Sequence, residues 1–173
     1  MSIGNYLEKL KEWSGHEKYS ILYNAENEEL SARLINSKIQ GKSNLYFIIE
    51  DINGNLFGSY HTFIPSEKER KVNVTEDPKH FIFTLKNPFN IQPAIFTPKE
   101  SNDHIISFYH DYDIRNVLNV QYCYGIVAQN KVFLYENIIR HYNDVPSDCG
   151  CRLLTGTANT FVDIAQFFII QMI

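Results

Sequence analysis

The stretch from Asn44 to Phe63, NLYFIIEDINGNLFGSYHTF, decides the fold because it predicts a β-hairpin. Asn53-Gly54 lies between two runs of aromatic and β-branched residues, and this dipeptide tolerates the positive φ angles of a two-residue type I′ turn. Such a loop predicts the pairs Ile52–Asn55, Glu50–Phe57, Ile49–Gly58 and Phe47–Tyr60. Gly58 then leaves room for Ile49 or for the close approach of another layer.

Both faces of this hairpin are apolar. Leu45, Phe47 and Ile49 fall on one face of the first strand, and Tyr46 and Ile48 fall on the other. A strand with two apolar faces is typical of the middle of a protein, where other layers cover both sides. The sequence therefore predicts a central hairpin that is covered on both faces.

The composition bounds the class of protein. With 173 residues, 44% hydrophobic and 21% charged, the chain is expected to form one globular domain over 1–173. A net charge of −4 without a Lys/Arg stripe argues against nucleic-acid partners. No apolar run reaches the ~18 residues of a membrane span, so no membrane insertion is expected. Three cysteines and no apparent signal peptide favour a reduced, intracellular protein of the cytoplasm.

Two helices are predicted near the N-terminus. Apolar residues at helical spacing indicate a core-packing helix that contains Trp13 and ends near Gly15. A second helix is predicted to begin after Asn24 or Asn27, which are plausible N-caps, and to stop at Gly41. Both helices precede most of the strands.

The remaining strands are spaced irregularly along the chain. They are predicted at 19–23, 81–85, 105–109, 122–127, 131–135 and 161–173, and 138–148 is predicted to be a polar loop. The helices gather near the N-terminus rather than between strands, which argues against a βαβ architecture. The predicted fold class is α+β and mainly β, with two antiparallel sheets packed as a β-sandwich and flanked by a few helices.

Several short motifs follow one another in a characteristic order. They are the helix end Leu10-Lys-Glu-Trp13, the strand Ile21-Leu22-Tyr23, the hairpin sequence Phe57-Gly58-Ser59-Tyr60, the strand Phe81-Ile-Phe-Thr-Leu85 and a cysteine–glycine loop before the last apolar strand. This order resembles the TLDc domain family, found in oxidation-resistance proteins, over about 7–172. Where that family often has a glycine-rich stretch, Tyr124 to Asn130 contains one glycine, so no role of that stretch is carried over.

The resemblance implies a β-sandwich with helices and a non-catalytic protein-interaction domain. It links the chain to oxidative-stress resistance and to regulation of the vacuolar proton-pumping ATPase, whose subunits become candidate protein partners. It implies no cofactor, no catalytic residue and no particular oligomeric state. Structural roles are predicted for Trp13, Asn53, Gly54, Phe57, Gly58, Phe81 and Phe83.

Cys149-Gly-Cys151 supports an alternative, a small thiol-based redox enzyme. Redox chemistry needs an exposed thiolate of low pKa, and Asp148 beside Cys149 works against one. A disulfide between the two cysteines would be strained at this spacing. A metal is not expected, because zinc sites need four ligands and usually wider cysteine spacing. The other candidate ligands are Cys123, His141 and His16.

His110, Asp111 and Asp113 form a second polar cluster, which supports a hydrolytic version of the enzyme alternative. A histidine beside carboxylates can transfer protons. In an extended segment, however, Asp111 and Asp113 would share one side and His110 would face the other. A solvated loop is therefore the favoured interpretation.

Overall fold

The computed structural model describes residues 2–67, 70–100 and 104–173. Its β-strands are β1 (Tyr19–Asn24), β2 (Ser43–Asp51), β3 (Leu56–Phe63), β4 (Val72–Val74), β5 (Phe81–Lys86), β6 (Ala94–Phe96), β7 (Ile106–Phe108), β8 (Asn116–Val120), β9 (Tyr124–Val127), β10 (Lys131–Leu134) and β11 (Thr160–Met172). Its α-helices are α1 (Leu7–Ser14), α2 (Ala32–Ile39) and α3 (Ile138–His141), and short 3₁₀ helices span Ser2–Tyr6 and Gly150–Arg152.

The strands form one antiparallel sheet in the order β4-β7-β8-β9-β10-β11-β2-β3-β5-β6, with β1 paired to β11. Mainly antiparallel β-structure with few helices was predicted correctly, but two separate sheets were not. The sheet is continuous because β11, at 13 residues, is long enough to serve both halves. Its first part pairs with β10, whereas its second part pairs with β1 and β2.

The two ends of the sheet fold over a common core. Phe47 of β2 contacts Phe108 of β7, with ring centroids 6.3 Å apart, although several strands separate β2 from β7 in the sheet. Phe57 of β3 likewise contacts Tyr124 of β9 at 6.0 Å. This larger core is enclosed by both halves of the sheet, and a smaller core lies on the opposite face of β2, β3 and β5.

The hairpin forms as predicted, but its register differs by one residue. Gly58 pairs with Ile48 rather than with Ile49. The loop has three residues, since the Asp51 N–H donates to the Asn55 carbonyl at 3.0 Å and only Gly54 has positive φ, +78°. The Asp51 carboxylate accepts from the N–H groups of Asn53 and Asn55, both at 2.9 Å. These bonds favour a turn with Gly54 at its left-handed position over the type I′ turn.

Both faces of β2 are covered, as predicted. Leu45, Phe47 and Ile49 belong to the larger core, whereas Tyr46 and Ile48 belong to the smaller one. All five side chains are fully buried. The one-residue change of register leaves this assignment intact because it alters the partners of β2, not the alternation of its own side chains.

Helix α1 agrees with the prediction and covers the smaller core. It ends at Gly15, whose φ of +72° suits a left-handed C-cap. Leu10 is fully buried, and its carbonyl accepts a hydrogen bond from the Tyr46 hydroxyl at 2.9 Å. The helix is thus held to the central strand by both apolar packing and one buried hydrogen bond.

Helix α2 begins later than predicted. Ser31 is its N-cap and accepts from the Leu34 N–H at 3.2 Å. The Asn24 side chain instead accepts from the N–H of Glu26 at 3.0 Å, which makes a local turn. The helix ends at Ile39, before Gly41 with its φ of +71°.

The other predicted strands are present with small differences at their ends, and three short strands were not predicted. These are β4, β6 and β8, each of three to five residues. The segment predicted as a polar loop contains the single turn of α3. None of the helices within the described ranges is long and apolar enough to cross a membrane.

Candidate functional site

The two loop cysteines differ in exposure. Cys149 is 3% exposed, and its thiol donates to the Pro146 carbonyl at 3.3 Å. Burial, assisted by Asp148, raises the pKa of Cys149 above its ordinary value. Cys151 is half-buried in the 3₁₀ helix, and both cysteines are free thiols. The arrangement favours a protonated Cys149 and gives the thiol-enzyme alternative no activated nucleophile at that position.

The residues considered as metal ligands are not brought together. Cys123 is fully buried in the larger core, and burial raises its pKa well above the ordinary value. His16 lies just after α1, where its ring bonds to Ser14 and Asn44. His141 stacks on Tyr122 with ring centroids 3.5 Å apart. No group of three potential ligands among the described residues could hold a metal ion.

The His110–Asp113 cluster is a turn stabilised by its own polar groups. The Asp113 N–H donates to the His110 carbonyl at 2.9 Å. Partial burial opposes ionisation of Asp113, but bonds from the N–H groups of Asn116 and Arg115 hold its carboxyl pKa below the ordinary value. The Asp111 carboxylate accepts from the buried Asn36 side chain of α2 at 2.8 Å. The Asp111 carboxylate therefore fastens α2 to the loop before β8, whereas the Asp113 carboxylate stabilises the loop itself.

The structure contains a buried pair of histidines that the sequence analysis did not single out. His61 of β3 and His80 stack with ring centroids 4.7 Å apart and are 0% and 1% exposed. Burial, together with the neighbouring His80, lowers the pKa of His61 well below its ordinary value. Burial also lowers the pKa of His80 to about 4, although a hydrogen bond to the Tyr60 carbonyl and the nearby Asp77 oppose this effect. Both imidazoles are neutral at pH 7.

A chain of hydroxyl groups surrounds the histidine pair. The Ser59 hydroxyl lies 2.8 Å from His61 Nε2 and 2.6 Å from the Tyr124 hydroxyl. The Tyr142 hydroxyl lies 3.2 Å from His80 Nε2. Because these groups are enclosed in the core, they join the two ends of the sheet rather than face a substrate.

One sequence signal for this network was available. Ser59 and His61 are two residues apart in a strand that is otherwise buried, so they share a face with Phe57. Buried polar groups require partners. Their partners, however, come from residues 80, 124 and 142, which no local pattern connects with the hairpin.

The residues assigned structural roles lie in or beside the two cores. Phe57 is in the larger core, and Phe81 and Phe83 are in the smaller one. Trp13 packs on this pair, with ring centroids 6.2 Å and 5.8 Å away respectively. A Cβ atom on Gly58 would lie only 1.8 Å from the Phe47 carbonyl oxygen. Asn53 and Gly54 form the hairpin turn described above.

The outer face of β9, β10 and β11 carries a cluster of aromatic rings that is only partly buried. We call it the outer aromatic face; it is formed by Phe133, Tyr135 and Phe161. The Phe133 ring lies 5.0 Å from each of the other two rings, in edge-to-face geometry. Phe161 is nevertheless 53% exposed. Ordered aromatic rings that remain accessible are typical of surfaces that bind proteins or peptides.

The chain was compared with curated proteins and with models of protein families. No curated protein matches the chain. The family model of the TLDc domain matches residues 2–118. The matched part ends inside β8 and so includes the hairpin, α1 and α2, whereas β9, β10 and β11 complete the sheet beyond it.

Proposed function

Because the chain belongs to the TLDc domain family, we propose that it is a protein-interaction domain that acts without catalysis. The proposal treats 1–173 as one TLDc domain, since β1 and β11, near the two ends of the chain, pair with each other. The role proposed for it is in oxidative-stress resistance, through regulation of the vacuolar proton-pumping ATPase in the cytoplasm.

The observation that carries the proposal is the outer aromatic face. Cys149 and His61 are buried, and the Asp113 carboxylate is used in a local turn. The outer aromatic face instead offers accessible rings held in fixed positions. Aromatic residues with few rotatable bonds lose little entropy on binding, and they are enriched where proteins associate.

Binding of the purified chain to the purified cytoplasmic sector of the proton pump tests the proposal. We expect the wild-type chain to bind and Phe161→Ala to bind at least tenfold more weakly. Phe63→Ala is a matched control, because Phe63 and Phe161 are both 53% exposed but Phe63 lies at the end of β3. Absence of binding by the wild-type chain would refute the pump as partner, and equal binding by all three proteins would refute the assigned surface.

A further inference from the structure

The long strand β11 bends where the two parts of the sheet meet. It pairs with β10 over 160–163 and with β2 over 164–171, and its register shifts between Ile164 and Gln166. A β-bulge of this kind bends a strand and increases its twist. The bend in β11 therefore separates a hairpin half of the sheet, formed by β2, β3, β5 and β6, from a β7–β10 half.

Away from this bend, the two halves meet through one short backbone pairing. The Lys99 N–H donates to the His141 carbonyl at 2.8 Å, and the Asn143 N–H donates to the Thr97 carbonyl at 2.9 Å, which makes an isolated antiparallel bridge. Elsewhere the halves meet through side chains of the larger core. These two bonds can therefore break and reform without disturbing the strands within either half.

A buried polar cluster, which we call the seam, lies between the halves. His61, His80 and Ser59 belong to the hairpin half, and Tyr124 and Tyr142 belong to the β7–β10 half. The Ser59 hydroxyl lies 2.8 Å from His61 Nε2 and 2.6 Å from the Tyr124 hydroxyl. The Tyr142 hydroxyl lies 3.2 Å from His80 Nε2. Each histidine is thus connected to a tyrosine of the opposite half.

The seam accommodates neutral imidazoles but not charged ones. The Tyr60 carbonyl lies 2.9 Å from His80 Nδ1, so this nitrogen is assigned the proton and Nε2 accepts from the Tyr142 hydroxyl. His61 Nδ1 has no hydrogen-bond partner in the described part of the chain. An imidazolium carries an N–H on both nitrogens. A charged His61 would therefore keep one donor unpaired in the core, which is costly.

The other ionisable groups that face the histidines do not compensate for such a charge. Asp77 and a hydrogen bond to the Tyr60 carbonyl favour a charged His80, but burial outweighs both and lowers its pKa to about 4. The Asp77 carboxylate accepts from the N–H and hydroxyl of Thr62 within the hairpin half, at 2.8 Å and 2.6 Å, so parting the halves leaves these bonds intact. Burial raises the pKa of three further groups well above their ordinary values and keeps them neutral: Cys123, Tyr124 and Tyr142.

We propose that the seam is a pH-sensitive switch: proton uptake by its histidines parts the two halves about the bend in β11 and exposes the larger core, while each half keeps its strands. In the closed protein, burial holds the pKa of His61 and of His80 below the ordinary value. In the open form both imidazoles reach water, where the ordinary pKa of about 6.5 applies. Below pH 6.5 the open form therefore binds more protons, and the open fraction rises as the pH falls.

The size of the effect follows from these protonation equilibria. Between pH 6.5 and 5.5, the equilibrium constant for opening rises about fivefold if one histidine takes up a proton on opening, and about thirtyfold if both do. Opening of this kind is a local event, distinct from unfolding of the whole chain.

The thiol of Cys123 is the probe for opening. Cys123 is fully buried in the larger core beside Tyr124 in the sequence, whereas Cys151 is half-buried and serves as an internal reference. The wild-type protein is treated with dipyridyl disulfide, and mass spectrometry of peptides gives the labelling rate of each thiol. The rate at Cys123 is divided by its rate in the urea-unfolded chain at the same pH. This ratio cancels the pH dependence of the thiolate fraction and gives the equilibrium constant for opening.

We expect this ratio to rise at least about fivefold from pH 6.5 to 5.5. At each pH it is expected to exceed the unfolded fraction obtained from denaturation, because the halves part before the chain unfolds. Hydrogen exchange at the amides of Lys99 and Asn143, which bridge the halves, is expected to accelerate in parallel, whereas β2 exchanges more slowly. A ratio that is constant with pH, or one that equals the unfolded fraction throughout, would overturn the inference.

Variants identify the groups responsible. The double variant His61→Gln/His80→Gln is expected to give a ratio that no longer changes over this pH interval. His16→Gln is its control, because the His16 ring bonds to Ser14 and Asn44 outside the seam, and it is expected to behave as the wild type. A wild-type pH dependence in the double variant would overturn the inference.

Tyr142→Phe keeps the test decisive if the double variant does not fold. It removes the hydroxyl that His80 Nε2 accepts from and retains both histidines. We expect labelling of Cys123 to increase severalfold at pH 7 while its dependence on pH remains. Unchanged labelling would show that the seam does not hold the halves together. None of these measurements involves a binding partner, so their outcome is independent of the proposed function.

Discussion

Two clusters of aromatic rings lie on the same sheet, and they differ in their exposure to solvent. In the smaller core, Tyr60 and Phe81 stack 5.1 Å apart and are 3% and 5% exposed. On the outer aromatic face, Phe133 and Phe161 meet at 5.0 Å, yet Phe161 is 53% exposed. Ring-to-ring distance is thus the same in both places, and what differs is whether another element covers the rings.

Helix α1 makes this difference. It lies over the smaller core through Leu10 and Trp13. In the described ranges, no helix packs in the same way on Phe133 and Phe161. Covered rings contribute to stability by removing apolar surface from water, whereas uncovered rings keep that free energy for association. The comparison therefore assigns stability to the covered cluster, and the proposed function assigns binding to the uncovered one.

Gly58→Val, in the covered region, is expected to have the largest effect. A Cβ atom at this position would meet the backbone oxygen of Phe47 at 1.8 Å and the Phe83 ring at 2.9 Å. Overpacking usually costs about 1–3 kcal/mol, and a collision with backbone cannot be relieved by rotation of a side chain. We expect a loss of more than about 3 kcal/mol or failure to fold, measured by chemical denaturation.

Ser66→Ala is the control for this variant. Ser66 is exposed in the loop after β3, and such substitutions usually change stability by less than about 0.5 kcal/mol. If Gly58→Val unfolds at the same denaturant concentration as the wild type and Ser66→Ala, the close approach of β2 and β3 is not essential to the fold.

Leu10→Ala tests how much the packing of α1 on the smaller core stabilises the fold. The Leu10 side chain is fully buried under α1, and truncation of a buried leucine costs about 2–5 kcal/mol because a cavity remains. We expect a loss of about 3 kcal/mol in the free energy of unfolding. Glu12→Ala, at an exposed position of the same helix whose carboxylate pairs with Lys9, is expected to cost less than about 0.5 kcal/mol. Equal losses would show that α1 contributes little to the smaller core.

The sequence predicts this covered region well and the histidine pair poorly, for a physical reason. Alternation along β2 and helical spacing in α1 are local patterns, and each is visible without knowledge of partners. The prediction of a type I′ turn was wrong because Asn53-Gly54 alone does not determine the turn. The Asp51 carboxylate, which accepts from the N–H groups of Asn53 and Asn55, selects the three-residue loop. The His61–His80 pair depends on residues far apart in the sequence.

The pairing of β8 with β9 is beyond prediction from the sequence for the same reason. It requires Asn119 of β8 and Gly125 of β9 to meet, and they pair directly in the register of those strands. Strand β8 is only five residues long, and its sequence NVLNV does not alternate polar with apolar residues, so it is a weak signal for a strand. In the sequence alone, Gly125 indicates only a departure from the glycine-rich stretch of the family.

Acidification is expected to destabilise the covered region through His61 and His80. Both pKa values are lower in the folded protein than the ordinary ~6.5 of an unfolded chain. Below pH 6.5 the unfolded chain therefore binds more protons, and stability falls as the pH falls, down to about 4 for His80. Between pH 6.5 and 5.5 this loss is about 1 kcal/mol per histidine.

Denaturation at a series of pH values measures this effect. Asp113 does not interfere in that interval, because its lowered pKa affects stability only at pH values below its ordinary range. His80→Gln is expected to reduce the dependence by about half, and Phe161→Ala, on the open face, is expected to leave it unchanged. A wild-type stability that is constant from pH 6.5 to 5.5 would mean that the two histidines bind protons as readily in the folded protein as in the unfolded chain.

Phe161→Ala is expected to have the smallest effect on stability, and it decides the comparison. Phe161 is 53% exposed, and the described ring it meets is Phe133 at 5.0 Å. One edge-to-face pair is worth about 0.5–1.5 kcal/mol, and half-exposure keeps the loss near the lower end. We expect about 0.5–1 kcal/mol by denaturation, a little more than for Phe63→Ala, which is equally exposed. A loss as large as that of Leu10→Ala would show that Phe161 stabilises the fold as the covered rings do, and the outer aromatic face would then no longer differ from the smaller core.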